Sequence, residues 1–442
     1  MPPARALWIL GWPVVALGLL HSFFFLVDAA WVGKLGVAQL EGVGASSFAS
    51  WMIRSVVVLV EVGIQALVAR AVGARAPERL QNLANQSLWM ALVLGLLMAA
   101  FAGVAPRAYF ALLGMAGQDF GASLEAGLAY LSTLMLGAPI IALFMTTQAL
   151  FRGVGDTRTP MTITAGTLLL NIILDPLLLF GLGPFPAMGV QGAAIATLFS
   201  QAVGVGFAWV LLKPYGVQPR FGRIIPQLQT KILRISTPMS ISSLGFCLVY
   251  VFLGPLVTVF GSGPLAALAV GHRIESIGYL FAVGLGTATA TLVGQNLGAY
   301  RPEQARRTAA VAERIVLGVL APLAVIYLLW ASTIFGWFSS DPTLAIAGAN
   351  YLRWASAALI FMGVEVLYAE SFSGAGNTLP ATLISMPLTA MRIPLAWFLS
   401  TQTDLGLNGI WIAIAASSIT KGIAMRIWWR LGHWQKRVGL DA

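Results

Sequence analysis

Charged residues are scarce in this sequence: only 10% of its 442 residues are Asp, Glu, Lys or Arg. An ordinary soluble domain has about 25%, and a soluble fold of this length could not cover its surface with so few charges. Hydrophobic residues instead make up 58% of the chain. Apolar runs of about 18 residues or more, each long enough to cross a bilayer as a helix, recur along the whole length. The composition therefore indicates an integral membrane protein.

Cysteine and histidine are rare in the sequence, and common catalytic motifs are absent from it. The single cysteine, Cys247, excludes an intramolecular disulfide and a cysteine-based metal cluster. Three scattered histidines, His21, His272 and His433, argue against a metal enzyme. No HExxH or GxSxG motif occurs, and "GLGTATATLVG" at 284–294 lacks the GK[ST] ending of a phosphate loop. Its small residues favour close helix packing instead. We therefore expect neither an enzyme nor a cofactor.

The formal net charge of +10 does not indicate a nucleic-acid partner, because the basic residues are collected in alternate short connections between apolar runs. The basic connections lie near residues 70–79, 152–158, 213–234, 301–307 and 430–437. The connections between them carry little beyond Lys34 and Arg107. Lys and Arg concentrate in cytoplasmic loops. We therefore expect a multi-pass protein of the plasma (inner) membrane, surrounded by lipid, with both termini cytoplasmic.

Apolar runs between polar or Gly/Pro breaks predict twelve membrane-spanning helices. They cover about residues 7–32, 42–69, 84–105, 124–149, 160–182, 189–212, 237–260, 264–294, 311–333, 349–372, 380–400 and 409–429. The predicted fold class is an all-α membrane protein. Its predicted parts are an N-terminal six-helix lobe at 1–212, a cytoplasmic linker at 213–236, a C-terminal six-helix lobe at 237–429 and a cytoplasmic tail at 430–442.

An internal repeat relates the two lobes. A shift of 225 sets Gly36 on Gly261 and Gly73 on Gly298. A shift of 221 sets "FRGVGDT" against "FSGAGNT", and a shift of 217 sets "GVQGAAIA" against "GLNGIWIA". Because each half has an even number of spans, the two repeats have the same orientation. This predicts a pseudo-two-fold axis along the membrane normal, a plan found in secondary transporters with a central cavity.

Few acids lie inside the predicted spans, where a charged side chain costs about 2.5–3.5 kcal/mol. In "NIILDP", Asn171 and Asp175 are four residues apart and share a helix face. Asp28 lies in the first span of the same half. Two carboxylates and an amide in a low-dielectric pocket could carry a proton, or they could ligate Na⁺ together with a hydroxyl such as that of Thr197. A buried structural hydrogen-bond network is the third interpretation.

The second half does not repeat this pocket, because Leu253 and Arg392 stand at the positions of Asp28 and Asn171. Its intramembrane acids include Glu275, Glu365 and Glu370. We expect Arg392 to pair with one of them. Together the four residues are a candidate cation or substrate site of the C-terminal lobe.

Six stretches, in order along the chain, resemble the multidrug and toxic compound extrusion (MATE) family of secondary transporters. They are "LVDAAWVGKLG", "LFRGVGDTRTPM", "NIILDPLLLFG", "GVQGAAIATLFSQ", "TLVGQNLGAYRPEQA" and "SFSGAGNTLPATL". Together they cover nearly the full length and fit the repeat of six plus six spans.

The resemblance implies an antiporter that exports organic, often cationic and amphipathic, small molecules in exchange for H⁺ or Na⁺ by alternating access. It implies that Asp28, Asn171, Asp175 and Thr197 form an ion-coupling site of the N-terminal lobe. It places the kink of the first span at Pro13, and it implies a monomer with no metal apart from Na⁺ at the N-terminal site. Two departures from the family, the apolar "FFFLV" before Asp28 and the lack of an acid in span 7, favour H⁺ over Na⁺.

The rival prediction is a flippase for lipid-linked oligosaccharides or lipids from the same superfamily. Such flippases often have a more cationic cavity and additional spans, so twelve spans and an acid-rich interior favour the antiporter. The missing catalytic motif argues against a membrane enzyme, and the repeat with buried acids argues against a simple channel.

Overall fold

A computed structural model of the chain describes residues 2–115, 121–338 and 342–435, and no described residue forms a β-strand. The α-helices are α1 (Pro3–Gly33), α2 (Val37–Gly73), α3 (Pro77–Ala100), α4 (Ala105–Leu112), α5 (Gly121–Leu136), α6 (Ala138–Val154), α7 (Arg158–Phe180), α8 (Val190–Leu211), α9 (Pro226–Thr258), α10 (Ser262–Gly298), α11 (Pro302–Gly336), α12 (Pro342–Gly374), α13 (Leu379–Ala390), α14 (Arg392–Thr401) and α15 (Leu407–Arg430). The predicted all-α fold is confirmed.

Within the described residues, eleven helical segments are long and apolar enough to cross a membrane. The pair α5 and α6 brings the number up to twelve, although the two helices are bent by 57° at their junction. The bend falls at Gly137, and Pro139 in the first turn of α6 has no N–H to continue the helical ladder. The sequence predicted one span at 124–149 here, because hydropathy does not register a bend.

Some helices begin well before the apolar run that predicted them. α9 begins at Pro226, whereas the sequence predicted a linker up to residue 236 and a span from residue 237. The added turns contain Lys231 and Arg234, which lower the local hydropathy, yet Ile232 and Ser236 are fully buried. A proline at the first helical position suits the start of a helix. The connection outside helices α8 and α9 is therefore shorter than the predicted linker.

That connection is held against α3 by amide side chains. Gln81 Oε1 accepts a hydrogen bond from the backbone N of Gln218 at 2.9 Å, and Gln86 Oε1 accepts one from the backbone N of Ile225 at 3.0 Å. Irregular backbone needs such partners because it has no helical ladder of its own. The connection is thus a fixed part of the first half.

The repeat found in the sequence is also present in the backbone. The shift of 225 sets α2 on α10 at both ends. It also sets Arg75 on Tyr300, which follow these helices with φ of 54° and 58°, a left-handed conformation that residues other than glycine rarely adopt. The shift of 217 sets Gly189 on Gly406, and these glycines have φ of 56° and 52°.

The chain divides into two compact units. As far as their residues are described, one is Ala16–Ser240 and the other is Met1–Val15 with Ile241–Ala442. The chain passes between units inside α1, after Val15, and inside α9, after Ser240. Pro13 and Pro238, which are equivalent in the repeat, each lie two residues before these points. The units therefore differ from the predicted lobes in the placement of residues 1–15 and 213–240.

Each of the two helix beginnings supplies a fully buried residue to the unit it belongs to. Leu7 of α1 packs in a core with Leu285 of α10. Ile232 of α9, the repeat equivalent of Leu7, packs in a core with Val60 of α2. Val60 and Leu285 are themselves equivalent in the repeat, so the same packing occurs once in each unit.

Close packing in the second unit depends on a small residue in the stretch 284–294. A Cβ placed on Gly284 of α10 would lie 2.9 Å from the backbone N of Val15 and 3.0 Å from the carbonyl O of Gly11, both on α1. Backbone atoms cannot yield as a flexible side chain can, so only glycine lets α1 lie this close to α10. This agrees with the packing role predicted for the stretch.

We expect Gly284→Ala to destabilise the protein by about 1–3 kcal/mol, because α1 must move away from α10. The matched control is Gly318→Ala on α11, where a Cβ meets no atom within 4 Å. Alanine stabilises a helix relative to glycine by up to ~1 kcal/mol, so the control should be unchanged or more stable. The thermal midpoint of the detergent-solubilised protein measures both, and equal midpoints for the two variants would contradict the packing argument.

Asp156, in the "FRGVGDT" stretch, closes the turn between α6 and α7. Its Oδ1 accepts hydrogen bonds from the backbone N of Arg158 and Thr159, each at 3.0 Å, and its Oδ2 accepts one from the Tyr215 hydroxyl at 2.6 Å. Burial by itself would raise the pKa of Asp156, but these hydrogen bonds to the charged form lower the pKa below its usual 3.8. The carboxylate thus caps the start of α7.

Because the pKa of Asp156 is lowered on folding, its stabilisation is present well above pH 3.8 and is lost as the pH falls through the folded-state pKa. We expect Asp156→Ala to cost about 1 kcal/mol at pH 7 and the difference from the unsubstituted protein to shrink in strong acid. Tyr215→Phe removes one of the three hydrogen bonds and should cost less. Thermal midpoints measured from neutral to acidic pH check this; a difference independent of pH would contradict it.

Candidate functional site

The four polar residues predicted to form an ion site come together in the unit of residues 16–240. Asp28 lies on α1, Asn171 and Asp175 lie on α7, and Thr197 lies on α8. The exposed fraction is 8% for Asp28, 2% for Asn171 and 0% for Asp175. The carboxyl groups of Asp28 and Asp175 are close enough to interact electrostatically. The structure therefore brings these side chains together, and Asn171 and Asp175 share a face of α7 as their spacing predicted.

α8 approaches α7 closely because a glycine lies where they meet. A Cβ on Gly192 would lie 2.7 Å from the carbonyl carbon and oxygen of Leu178. The same contact recurs in the second unit, where a Cβ on Gly409 would lie 2.6 Å from the carbonyl oxygen of Leu399. The two glycines are equivalent in the repeat. In the first unit, the contact sets the distance between the polar residues of α7 and those of α8.

The Asn171 amide joins α7 to α8. Its nitrogen donates to Asp175 Oδ2 at 3.0 Å, and its oxygen accepts from the backbone N of Thr197 at 2.9 Å. The Thr197 hydroxyl donates to the carbonyl O of Ala193 at 3.1 Å. The opposite orientation would set the amide nitrogen against the N–H of Thr197 and the amide oxygen against Asp175, so these neighbours fix the orientation.

Asp175 also has an acceptor without a donor. Its Oδ1 atom is buried, and no donor among the described residues reaches it. An ionised carboxylate buried with too few donors is costly, so a proton or a small cation would lower the free energy of the site. Oxygen ligands for such a cation are available from both carboxyl groups, the amide and the hydroxyl. The arrangement can hold either ion.

Tyr130 of α5 also belongs to this site, although it was not among the residues predicted from the sequence. The phenol is half-buried and interacts electrostatically with Asp28 and with Asp175. The repeat carried a signal for it, since a shift of 221 sets Tyr130 on Tyr351 and the start of α5 on the start of α12. A tyrosine therefore recurs at the same place in both halves.

In the second unit the equivalent positions are mostly apolar. Leu253, Ala396 and Ile414 stand where Asp28, Asp175 and Thr197 stand in the first half, and they lie in one hydrophobic core with Trp411. This confirms that the second half does not repeat the polar pocket.

The three acids predicted as a second site make different contacts. Glu365 forms an ion pair with Lys421 at 2.9 Å and accepts a hydrogen bond from Ser385 at 3.0 Å. Glu275 accepts a hydrogen bond from the Tyr351 hydroxyl at 2.6 Å. The Glu370 side chain packs against Gly286 of α10. Across the part of the chain that is described, no group of three or more His, Cys, Asp or Glu side chains could hold a metal ion.

Arg392 does not pair with an acid among the described residues, contrary to our expectation. It is 3% exposed, at the start of α14, and its side chain donates to the Ser417 hydroxyl at 2.6 Å, the Ser418 hydroxyl at 2.9 Å and the Tyr250 hydroxyl at 2.9 Å. The cation that pairs with Glu365 is Lys421, which was not among the residues predicted from the sequence. Lys421 is only 3% exposed. Hydropathy did not predict this burial, because a lysine near the end of a span usually reaches the membrane surface.

Comparison with known proteins decides the family. The sequence model of the MatE family matches residues 13–177 and 238–398, most of the chain. The chain belongs to the MATE family. Over 434 residues it is 28% identical to the probable multidrug resistance protein NorM of Thermotoga maritima. The alignment covers 97% of this chain and 92% of that protein. Over 406 residues it is 26% identical to the FAD transporter of Shewanella oneidensis, covering 91% of this chain and 88% of that protein.

Solved structures of the family share the fold. A crystal structure of MATE in the bent conformation superposes with a TM-score of 0.89 at 25% identity, covering 99% of this chain and 97% of that one. One in the straight conformation gives a TM-score of 0.87 at 25% identity, covering 98% and 97%. The resemblance found in the sequence is thus confirmed. This MATE protein is a multi-pass membrane transporter of small molecules, and not an enzyme.

The ion pair of Lys421 and Glu365 gives a test of the second unit. Lys421→Met leaves Glu365 as an uncompensated buried charge, which costs about 3–5 kcal/mol. The double variant Lys421→Met with Glu365→Gln should recover most of that stability, because neither charge remains. Denaturant unfolding of the purified MATE protein, evaluated as a double-mutant cycle, measures the coupling. A double variant no more stable than Lys421→Met would show that the pair is not the stabilising contact.

Proposed function

We propose that this MATE protein is a secondary active antiporter that exports organic, cationic or amphipathic compounds in exchange for H⁺ by alternating access. Na⁺ is the alternative coupling ion. The protein acts as a monomer in the plasma membrane with both termini cytoplasmic. The observation that carries the proposal is the buried pair Asp28 and Asp175, which has no ion-pair partner among the described residues.

Proton exchange at this pair is supported by the hydrogen bonds around it. Asn171 donates to Asp175 Oδ2, whereas the buried Oδ1 atom of Asp175 has no donor among the described residues. The ionised carboxylate is therefore only partly stabilised. Uptake of a proton removes that charge, which supports a site that loads and releases a proton.

α1 can carry the effect of a proton on Asp28 beyond the ion site, because this helix has residues in both units. Asp28 lies in the part of α1 that belongs to the unit of residues 16–240, whereas Pro13 lies in the part that belongs to the other unit. Proline leaves the carbonyl one turn earlier without its helical partner, so the helix bends there more easily than elsewhere. Protonation of Asp28 is coupled to bending of α1 at Pro13 in this proposal.

Substrate class and orientation have their own support. The relatives include probable multidrug resistance proteins and an FAD transporter, which supports export of organic compounds. The concentration of Lys and Arg in alternate connections supports cytoplasmic termini. Glu275, Glu365, Glu370 and Arg392 are the candidate substrate residues of the second unit. A lipid flippase, the rival prediction, would need no coupling ion at Asp28.

Efflux of a cationic dye from proteoliposomes tests the proposal, with a proton gradient or a sodium gradient imposed separately. We expect proton-driven transport, and we expect Asp28→Asn to reduce it at least about tenfold because the site can no longer exchange a proton. Glu41→Gln is the matched control: Glu41 lies on α2 of the same unit, is exposed, and accepts a hydrogen bond from Ser123.

A further variant separates the two ions. Thr197→Val removes one ligand oxygen and should weaken sodium-driven transport strongly, whereas proton-driven transport should change by no more than about twofold. Sodium-driven transport that survives Asp28→Asn would move the coupling site out of the first unit. No gradient-driven transport of any cationic dye would favour the flippase.

A further inference from the structure

A groove runs along the surface between α7 and α8, in the unit of residues 16–240. It has a volume of about 330 Å³, which is within the range of ligand sites. Phe207 is 64% exposed and Leu211 is 42% exposed, so the groove opens to the surroundings of the two helices. Both helices are long and apolar enough to cross the membrane. The lining includes Thr162, Gly166, Leu170, Gly204, Phe207 and Leu211.

Two glycines make room for the groove. A Cβ on Gly204 of α8 would lie 2.6 Å from Thr167 Cγ2 of α7, so this glycine lets the two helices approach. Gly166 of α7 is exposed, and a Cβ there would meet no atom within 4 Å. The second half has larger residues at both positions, because the repeat sets Pro387 on Gly166 and Lys421 on Gly204. The groove is therefore not a requirement of the shared backbone plan.

The lining of the groove is suited to hydrocarbon. Its two hydroxyl groups are already used: Thr162 donates to the carbonyl O of Thr159 at 2.9 Å, and Thr167 donates to the carbonyl O of Thr164 at 2.8 Å. Neither hydroxyl keeps a proton to donate to a bound compound. The other lining residues are glycine or apolar. A polar molecule would lose hydrogen bonds to water there, whereas an acyl chain would not.

Two cationic side chains lie at one end of the groove. Arg158 begins α7 and stands four residues before Thr162, on the same face of the helix. Lys213 follows the end of α8, two residues after Leu211. Both side chains are exposed. Neither forms an ion pair with another of the described residues.

Asp156 holds these two cations at the same end. The backbone N of Arg158 donates to Asp156 Oδ1 at 3.0 Å. The hydroxyl of Tyr215, in the 3₁₀ helix that begins at Lys213, donates to Asp156 Oδ2 at 2.6 Å. Two positive charges and the one negative charge of Asp156 leave a net charge of +1. Positive charge at the end of a membrane span attracts anionic lipid headgroups.

We propose that this groove, the α7–α8 lipid site, binds one membrane phospholipid with a single net negative charge. One acyl chain of the lipid lies in the groove, and its phosphate pairs with Arg158 and Lys213. Such a lipid matches both the hydrocarbon lining and the net charge of +1. A zwitterionic phospholipid with the same chains matches only the lining.

Native mass spectrometry of the delipidated protein in detergent tests the site. Phosphatidylglycerol, which is anionic, and phosphatidylethanolamine, which is zwitterionic, are titrated separately with identical acyl chains. We expect phosphatidylglycerol to fill one saturable site and to bind about 5- to 30-fold more tightly than phosphatidylethanolamine. That ratio corresponds to one or two basic side chains near a headgroup.

Two substitutions separate the headgroup from the chain. Arg158→Gln should lower the affinity for phosphatidylglycerol about fivefold and leave that for phosphatidylethanolamine unchanged. Gly166→Leu should lower the affinity for both lipids at least about tenfold, because each CH₂ that the leucine displaces from the groove changes the affinity about fourfold. Leucine favours a helix more than glycine does, so this variant should keep its thermal midpoint.

Each substitution has a matched control in the same unit. Arg107→Gln removes an exposed cation from α4. Gly206→Leu places a leucine at another exposed glycine of α8, where a Cβ also meets no atom within 4 Å but which is not a lining residue. Both controls should bind phosphatidylglycerol as the unsubstituted protein does.

Equal affinities of the unsubstituted protein for the two lipids would overturn the α7–α8 lipid site. A Gly166→Leu variant that binds both lipids as tightly as Gly206→Leu does would also overturn it. The binding measurement needs no ion gradient, so its outcome is independent of the antiport proposal.

Discussion

The proposed function of this protein depends on the free-energy cost of an ionised group inside a region that excludes water. Some buried charges meet that cost with an ion pair, as Lys421 does with Glu365. Others have no ion-pair partner among the described residues: Asp28 and Asp175 in the first unit, Arg392 and Glu275 in the second. A charge without a fixed partner is stabilised by whatever binds to it, and the proposal for a coupling ion starts from that difference.

The repeat lets one backbone plan serve two kinds of chemistry. Paired glycines, Gly192 and Gly409, bring equivalent helices together in the two halves, and Tyr130 recurs as Tyr351. The side chains between them differ, because Asp175 is replaced by Ala396 and Asn171 by Arg392. The first half thus holds an acidic site suited to an ion, and the second holds a basic residue beside an apolar core.

α1 and α9 are the elements in which the chain changes unit. Each has a proline two residues before that point, and each places a fully buried residue, Leu7 or Ile232, in a core with residues of α10 or α2. A helix that belongs to two cores cannot bend without affecting both. The carboxylate of Asp28 on α1 is therefore well placed to influence more than its own surroundings.

The sequence by itself determined the membrane-spanning helices, the three shifts of the repeat and the shared face of Asn171 and Asp175, because hydropathy and helical period are local properties of the chain. It also carried the family resemblance, which the comparisons confirm. Only the tertiary structure decided the bend at Gly137, the membership of residues 1–15 in the second unit, the electrostatic interaction of Tyr130 with the acids, and the partners of Arg392 and Lys421. Those outcomes depend on which helices touch and on which side chains meet across them, and no short stretch of sequence contains that information.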